Sequence, residues 1–190
     1  MRRTLPLAVL LAVALAAVPT LGAPATSKTR IVGFPPYVLG TDLPRMLSAD
    51  PELSLGDYPR WANTLVTRNY GRSIVAPIGG INYIALVGLQ FWRGRLAVVV
   101  LKWPARSFRS VSAWRRGAAD TQNWIMMRYA LEAVSGYVAS GPAWTIDMTD
   151  AAGNRLSAWS LEQPHEITMA YLWAPYAKAL ESAPAPEAGY

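Results

Sequence analysis

A run of twenty residues without a charged side chain, from Ser73 to Trp92, constrains the fold of this chain more than any other feature of its sequence. Twenty apolar residues suffice to span a bilayer as a helix, so membrane insertion through residues 73–92 is one interpretation. Proline, glycine, asparagine and glutamine interrupt the run, however. Its second half and a further apolar segment flank Arg93-Gly94-Arg95, which favours a β-hairpin with strands over 83–92 and 96–103. Both strands are apolar on both faces, as in the centre of a covered sheet.

Other segments are also predicted to be extended. Residues 31–39 contain two prolines, and because proline cannot donate to a sheet ladder, we expect them at an edge. Residues 143–149 alternate apolar with polar side chains, and a turn of small and polar residues leads into 155–161, as in a second hairpin. Together with the first hairpin, these segments predict a mixed or antiparallel sheet of four to five strands.

About three helices are predicted to pack on one face of this sheet, which gives an α+β fold. The first covers 58–70, where an aspartate cap and a first-turn proline precede apolar residues at helical spacing. The second follows Asp120 with an apolar stripe that ends at Gly136. The third covers 164–182 and bends or restarts at Pro175.

The first 25 residues have the order of a cleavable signal peptide. A charged start with Arg2-Arg3 precedes twelve uncharged apolar residues over 7–18 and the small-residue pattern Ala23-Pro24-Ala25. An uncleaved anchor is the rival interpretation, but a bilayer needs about twenty apolar residues. We therefore predict residues 1–25 to be a signal peptide and the mature chain to be periplasmic or secreted.

What remains suits a single α+β domain over residues 26–182, followed by a flexible C-terminal tail over 183–190. A hydrophobic content of 52% with 16% charged residues is typical of a folded globular domain. The chain has no cysteine. This excludes disulfides, thiolate metal sites, cysteine nucleophiles and the lipid-carrying cysteine of a bacterial lipoprotein.

Charge is distributed unevenly along the chain. Residues 58–119 contain ten lysines and arginines and no acid, whereas residues 120–190 contain three cations against eight acids. Within the basic stretch, tryptophan lies next to or near arginine. Since indole favours the edge of a bilayer and guanidinium pairs with phosphate, this combination indicates an anionic surface. The candidate contact residues are Trp92, Arg93, Arg95, Lys102, Trp103, Arg106, Arg109, Trp114, Arg115 and Arg116.

The partner predicted from this pattern is an anionic lipid or an envelope protein, with membrane-surface association. Nucleic acid could use the same side chains by stacking and phosphate contact, but export disfavours it. A structural interpretation also stands, in which the tryptophans pack in the core and the arginines form a solvated face.

Signals for catalysis are few. His165 is the single histidine, so a serine triad or a multi-histidine metal site has only this residue to draw upon, and we expect it to be a surface residue at a helix start. Asp147 and Asp150 are the one carboxylate pair that suggests acid–base work, and they support the alternative of a secreted hydrolase that acts on an envelope polymer. No catalytic residue, cofactor or metal is otherwise predicted.

Three segments between residues 34 and 65 carry a resemblance to a known family. They read Phe-Pro-Pro-Tyr-Val-Leu at 34–39, Leu-Pro-Arg-Met at 43–46 and Leu-Ser-Leu-Gly-Asp-Tyr-Pro-Arg-Trp-Ala at 53–62, followed by Leu65. This part of the chain resembles the N-terminal region of the PqiC-like auxiliary proteins of ABC-type envelope lipid transporters. In that family an extended strand leads to a helix opened by an aromatic-x-Arg-Trp-Ala motif.

The resemblance implies a small α+β accessory domain that assists lipid traffic across the periplasm without catalysis of its own. Two departures limit it. Members of the family are typically lipoproteins, and this chain has no cysteine to carry a lipid. Residues 73–119 have no clear counterpart in the family. The predicted function is therefore that of an exported binding or accessory protein of an envelope transport or assembly system.

Overall fold

The computed structural model describes residues 26–27, 30–61, 65–66, 68–129 and 134–183. The predicted signal peptide lies outside the described residues, as does the predicted tail apart from Ala183. The strands are β1 (Thr26–Ser27), β2 (Gly33–Phe34), β3 (Tyr37–Val38), β4 (Ser54–Leu55), β5 (Asn69–Ile78), β6 (Ile81–Trp92), β7 (Arg95–Trp103), β8 (Val134–Ser140), β9 (Ala143–Asp150), β10 (Arg155–Leu161) and β11 (Glu166–Leu172). The helices are α1 (Leu43–Ala49), α2 (Val111–Tyr129) and α3 (Ala174–Glu181), and a 3-10 turn covers Ala105–Ser107.

The main sheet follows the order β1-β9-β10-β11-β7-β6-β5-β4, with β8 also paired to β9. All neighbours are antiparallel except β1, which adds two parallel pairs at the end of β9. Strands β2 and β3 form a separate small hairpin that contains the predicted proline pair. The predicted α+β fold with four to five strands is therefore wrong, because the described chain is mostly β and its main sheet is about twice as wide.

Both faces of the sheet centre are buried. One core contains Leu89, Leu101 and Met169 together with helix α2, and the other contains Val98, Leu172 and helix α3. The covered central strands predicted from the apolar hairpin are thus confirmed for β7 and for most of β6, but Ile84 of β6 is 60% exposed. The prediction that all helices pack on one face is wrong, since α2 and α3 cover opposite faces.

Both predicted hairpins are confirmed. Strands β6 and β7 are joined by Arg93 and Gly94, whose φ angles are 51° and 75°. Positive φ at both turn residues is the geometry of a two-residue hairpin turn, which glycine adopts at little cost. Strands β9 and β10 form the second hairpin. Residues 73–92 accordingly belong to β5, its turn and β6, and no helix in the described part of the chain is long and apolar enough to cross a membrane.

The helix predicted over 58–70 is wrong. Residues 58–61 are not helical, and Asn69 already starts β5. The chain instead crosses the sheet: the Trp61 amide donates to Oε1 of Gln90 at 2.9 Å, and Nε2 of Gln90 donates back to the Trp61 carbonyl at 3.3 Å. These two hydrogen bonds to the buried Gln90 take the place of the hydrogen bonds that a helix would make. Because Gln90 is distant in sequence, the spacing of apolar residues over 58–70 does not indicate them.

The other two helices differ in extent from the prediction. Helix α2 begins before Asp120, where Oγ of Ser110 accepts from the Ala113 amide at 3.1 Å, and it ends before β8. Its predicted apolar stripe is exposed at Trp124 and Met127. The first part of the predicted 164–182 helix is strand β11, whose seven residues are all buried, and only its end, Ala174–Glu181, is helical. A fully buried strand lacks the alternation that identifies strands, so this segment was ambiguous with a buried helix.

A polar network attaches the β2–β3 hairpin to the edge of the main sheet. The buried Tyr37 hydroxyl donates to Oδ2 of Asp50 at 2.7 Å, while Arg72 on β5 lies 2.6 Å from Oδ1 of the same carboxylate. Arg72 also pairs with Glu52 at 2.5 Å. Burial, followed by the hydrogen bond to Asp50, raises the pKa of Tyr37 far above that of a free tyrosine.

We expect Tyr37→Phe to lower the free energy of unfolding by about 1.5–3 kcal/mol, the range for a hydrogen bond to a charged acceptor. Urea unfolding followed by far-UV circular dichroism measures this change. Tyr83→Phe is the matched control, because Tyr83 is also buried in the core but makes no hydrogen bond through its hydroxyl among the described residues. Equal stability losses in the two variants would contradict the role of the network.

Candidate functional site: an arginine cluster at the start of helix α2

The ten candidate contact residues do not form one surface. Strand β7 separates them into two ends, because its eight steps from Arg95 to Trp103 cover about 26 Å at roughly 3.3 Å per residue. Trp92, Arg93 and Arg95 lie at the β6–β7 turn. The 3-10 turn and the start of α2 carry the other arginines, at the far end of β7.

At the β6–β7 turn, the candidates are engaged in local structure. The Arg93 guanidinium lies 4.4 Å from the centre of the Trp92 ring, in a cation–π contact, and Trp92 packs on Tyr176 of α3. Arg95 donates to the Gly40 carbonyl at 3.3 Å and lies 3.9 Å from Asp42. At this end of the sheet Arg95 therefore has a carboxylate partner, whereas Arg93 rests on a ring face without one among the described residues.

Three further candidates are core or paired residues. Trp103 and Trp114 are buried, so they cannot reach a headgroup or a partner's surface. Trp114 packs instead against His165, which lies in the turn before β11 rather than at the predicted helix start. Lys102 is paired with Glu166, its Nζ lying 2.7 Å from Oε2. For these tryptophans the structural interpretation is the correct one.

The remaining four candidates lie close together along the chain, from the 3-10 turn to the second turn of α2. We call Arg106, Arg109, Arg115 and Arg116 the α2-start cluster, and all four side chains are exposed. Arg115 has a carboxylate nearby, Glu162 at 3.9 Å, but both partners are more than half exposed, so the pair is weak. The N-terminus of the 19-residue helix α2 adds a partial positive charge at the same place.

The loop that carries the cluster is fixed at several points. Oγ of Ser107 donates to the Ile84 carbonyl on β6 at 2.6 Å, and the buried Phe108 ring lies 5.1 Å from that of Tyr83. Ser110 then caps the helix. The backbone that carries the arginines is therefore fixed by the rest of the fold, so binding of a partner does not require the loop to become ordered first.

Ion pairing distinguishes this cluster from the rest of the basic stretch. Half of the ten cations between 58 and 119 have a carboxylate within 4.0 Å; they are Arg60, Arg72, Arg95, Lys102 and Arg115. Among the described residues, the other five have none, and they are Arg68, Arg93, Arg106, Arg109 and Arg116. The free positive charge of the acid-free stretch is thus concentrated at the start of α2.

Exposed apolar side chains lie on the elements that hold the cluster. Val111 in the first turn of α2 is 44% exposed, and the cross-strand pair Val75 and Ile84 is 67% and 60% exposed. Ile84 is the residue whose carbonyl holds Ser107. Sequence reasoning missed this neighbourhood, because it treated the whole strand as buried and because the two-sided pattern of β6 gives no signal of which positions reach solvent.

The structure does not bring together the two carboxylates on which the hydrolase alternative depends. Asp147 and Asp150 lie three residues apart on β9, so their side chains point to opposite faces of the sheet. Asp150 is buried and accepts from the amides of Ile31, Ala152 and Asn154 and from Nδ2 of Asn154. Within the described ranges, no three histidine or acidic side chains are close enough to hold a metal ion.

Comparisons with known proteins give no relative: no family model, no curated protein and no solved structure matches the chain. The resemblance of residues 34–65 to the PqiC-like proteins stays a prediction.

Proposed function

We propose that the chain is an exported binding or accessory protein of the cell envelope, which contacts an anionic lipid surface through the α2-start cluster. The concentration of unpaired arginines at one exposed, structurally held point is the observation that carries this proposal. It narrows the predicted contact region from residues 92–116 to its second half. The proposal leaves the buried Trp103 and Trp114 and the paired Lys102 out of the contact.

The chemistry of the cluster suits phosphate at the edge of a bilayer. Guanidinium groups form bidentate hydrogen bonds with phosphate oxygens, and the start of α2 favours negative charge. The exposed side chains of Val111 and Ile84 would be removed from water at the apolar side of the same boundary, which is favourable. A nucleic acid would use the arginines equally well, but the described neighbourhood presents aliphatic side chains rather than the exposed aromatic rings on which bases stack.

Export and a role in lipid traffic also support this function, and both rest on sequence. The signal-peptide pattern would bring the domain to the envelope, where anionic lipid surfaces lie. The resemblance of residues 34–65 implies an accessory role in moving lipids. The contact proposed here stands on the structure of residues 104–119 and does not depend on that resemblance.

We expect the triple variant Arg106→Gln, Arg109→Gln, Arg116→Gln to lose about 100-fold in affinity for phosphatidylglycerol-containing vesicles. The estimate follows from about 1 kcal/mol per basic residue at an anionic surface. Co-sedimentation with vesicles of phosphatidylcholine, with and without phosphatidylglycerol, at low and high salt, measures it. The anionic lipid should strengthen wild-type binding, and this increase in affinity should become smaller as salt screens the charges.

The matched control is Arg45→Gln, Arg60→Gln, Arg68→Gln, which removes the same charge from exposed sites outside the cluster. It should retain most of the affinity. Equal losses of affinity in both triple variants would mean that binding depends on net charge alone and not on the α2-start cluster. Equal wild-type binding to neutral and anionic vesicles would overturn the proposed contact.

A further inference from the structure

A separate pocket opens beside the middle of α2, between β2 and the β5–β6 turn. Its volume is about 60 Å³, and its walls include Phe34, Trp103, Trp124 and Met169. Since a cavity needs about 10–15 Å³ per water-sized group, the pocket takes about four or five heavy atoms. This is enough for one compact head group, with the rest of a ligand at the mouth.

An unpaired carboxylate lies in this pocket. Asp120 lines it and makes no ion pair or hydrogen bond with any residue that the structure describes. Its Oδ2 lies directly over Gly79, where a Cβ would overlap the carboxylate, and Gly79 has a φ of 54°. Glycine at the turn therefore permits the close approach of the carboxylate. A carboxylate in a pocket without a cation beside it can pair with a cationic ligand.

Aromatic rings surround the same space. Phe34, Trp103 and Trp124 come from three different elements and line one pocket. The faces of aromatic rings attract cations, and such rings together with a carboxylate form the kind of cage that binds quaternary ammonium groups. The Arg128 guanidinium lies 5.6 Å from the Trp124 ring but does not line the pocket, so it does not occupy this site.

The lining of the pocket favours a quaternary ammonium over a primary amine. A primary ammonium carries three N–H donors that need acceptors when buried, and beside Asp120 the walls are mainly apolar. A trimethylammonium group carries no N–H and is satisfied by charge and ring faces alone.

We propose that this pocket binds a choline-type quaternary ammonium, with its cationic head beside Asp120 among the aromatic rings that line the pocket. The ligand is either free choline or the headgroup of a choline lipid. This inference goes beyond the anionic contact at the α2-start cluster, because it concerns other residues and ligand charge of the opposite sign.

Calorimetric titration of the folded chain with choline, in the absence of vesicles, tests the site. We expect choline to bind, and its neutral isostere 3,3-dimethylbutan-1-ol to bind at least about tenfold more weakly, because it lacks the charge. Asp120→Asn and Trp124→Ala should each weaken choline binding by about tenfold. The indole resonances of Trp124, which lines the pocket and is partly exposed, should shift on addition of choline.

The matched controls are Asp57→Asn, which removes an exposed acid elsewhere, and Met127→Ala, which removes an exposed apolar side chain from the same helix. Both should bind choline as the wild type does. Equal affinity for choline and its isostere, tighter binding of methylammonium, or no heat with choline would each overturn the proposal. The last result would mean that the pocket holds water only.

Vesicles separate the two sources of the ligand. Release of the chain from phosphatidylcholine vesicles by free choline would identify the lipid headgroup, whereas choline binding without vesicle binding would identify the free compound. Because both vesicle types used for the α2-start cluster contain phosphatidylcholine, loss of the anionic contact and loss of the choline site give different results.

Discussion

Gly88→Ala is expected to lower the free energy of unfolding by more than about 3 kcal/mol, the upper range for overpacking in a core. Gly88 lies in the middle of β6, where residues 58–61 cross the sheet. A Cβ at this position would overlap the Pro59 carbonyl oxygen. Backbone atoms of a strand and of the crossing segment cannot both move without breaking the hydrogen bonds between Trp61 and Gln90.

Thermal unfolding and soluble yield measure the effect of Gly88→Ala. Gly136→Ala is the control, since a Cβ there would meet Asp147 atoms at 3.6 Å or more, an ordinary contact. It should change stability little. If Gly88→Ala were as stable as this control, the close crossing of residues 58–61 over β6 would be wrong.

Asp150→Ala is expected to be the second large loss, about 3 kcal/mol or more. The buried carboxylate accepts four hydrogen bonds from Ile31, Ala152 and Asn154, at 2.8 to 3.1 Å. Its removal leaves buried donors unsatisfied, which costs about 1–3 kcal/mol for each group that water cannot reach. The N-terminal segment at Ile31 would lose its attachment to the β9–β10 turn.

Asp147→Ala is the natural comparison, because it removes a carboxylate from the same strand. Oγ of Ser157 donates to Asp147 at 2.5 Å, but this side chain is only half-buried, so water can replace the lost partner. Chemical denaturation of both variants should show the larger loss for Asp150. A larger loss for Asp147 would contradict the structural role given to Asp150.

The hairpins were predictable because their signals are local. Alternation along β9 and β10, and a glycine turn between two apolar runs at Arg93-Gly94, both reflect chemistry within about ten residues. Strand β11 was not predictable in this way, since all seven of its residues are buried and periodicity disappears. The helix predicted over 58–70 was wrong for another reason. Trp61 is hydrogen-bonded to Gln90, which lies about thirty residues away in sequence.

The candidate site was predictable only in part. The acid-free stretch correctly contained Arg106, Arg109 and Arg116, but it also contained cations whose acids come from distant segments, such as Arg72 with Asp50. Sequence cannot show such pairs. The pocket could not be predicted from the sequence either, because Phe34, Trp103 and Asp120 come together only when three separate elements fold.

The attachments of residues 31–50 bear on how the sheet opens. This segment binds Asp150 on β9 through Ile31, adds backbone hydrogen bonds to Leu96 of β7, and reaches Arg72 of β5 through Asp50. Four strands separate β9 from β5 in the sheet. One stretch of chain thus links both halves, so the two sides should lose amide-exchange protection in a single cooperative step rather than fray independently.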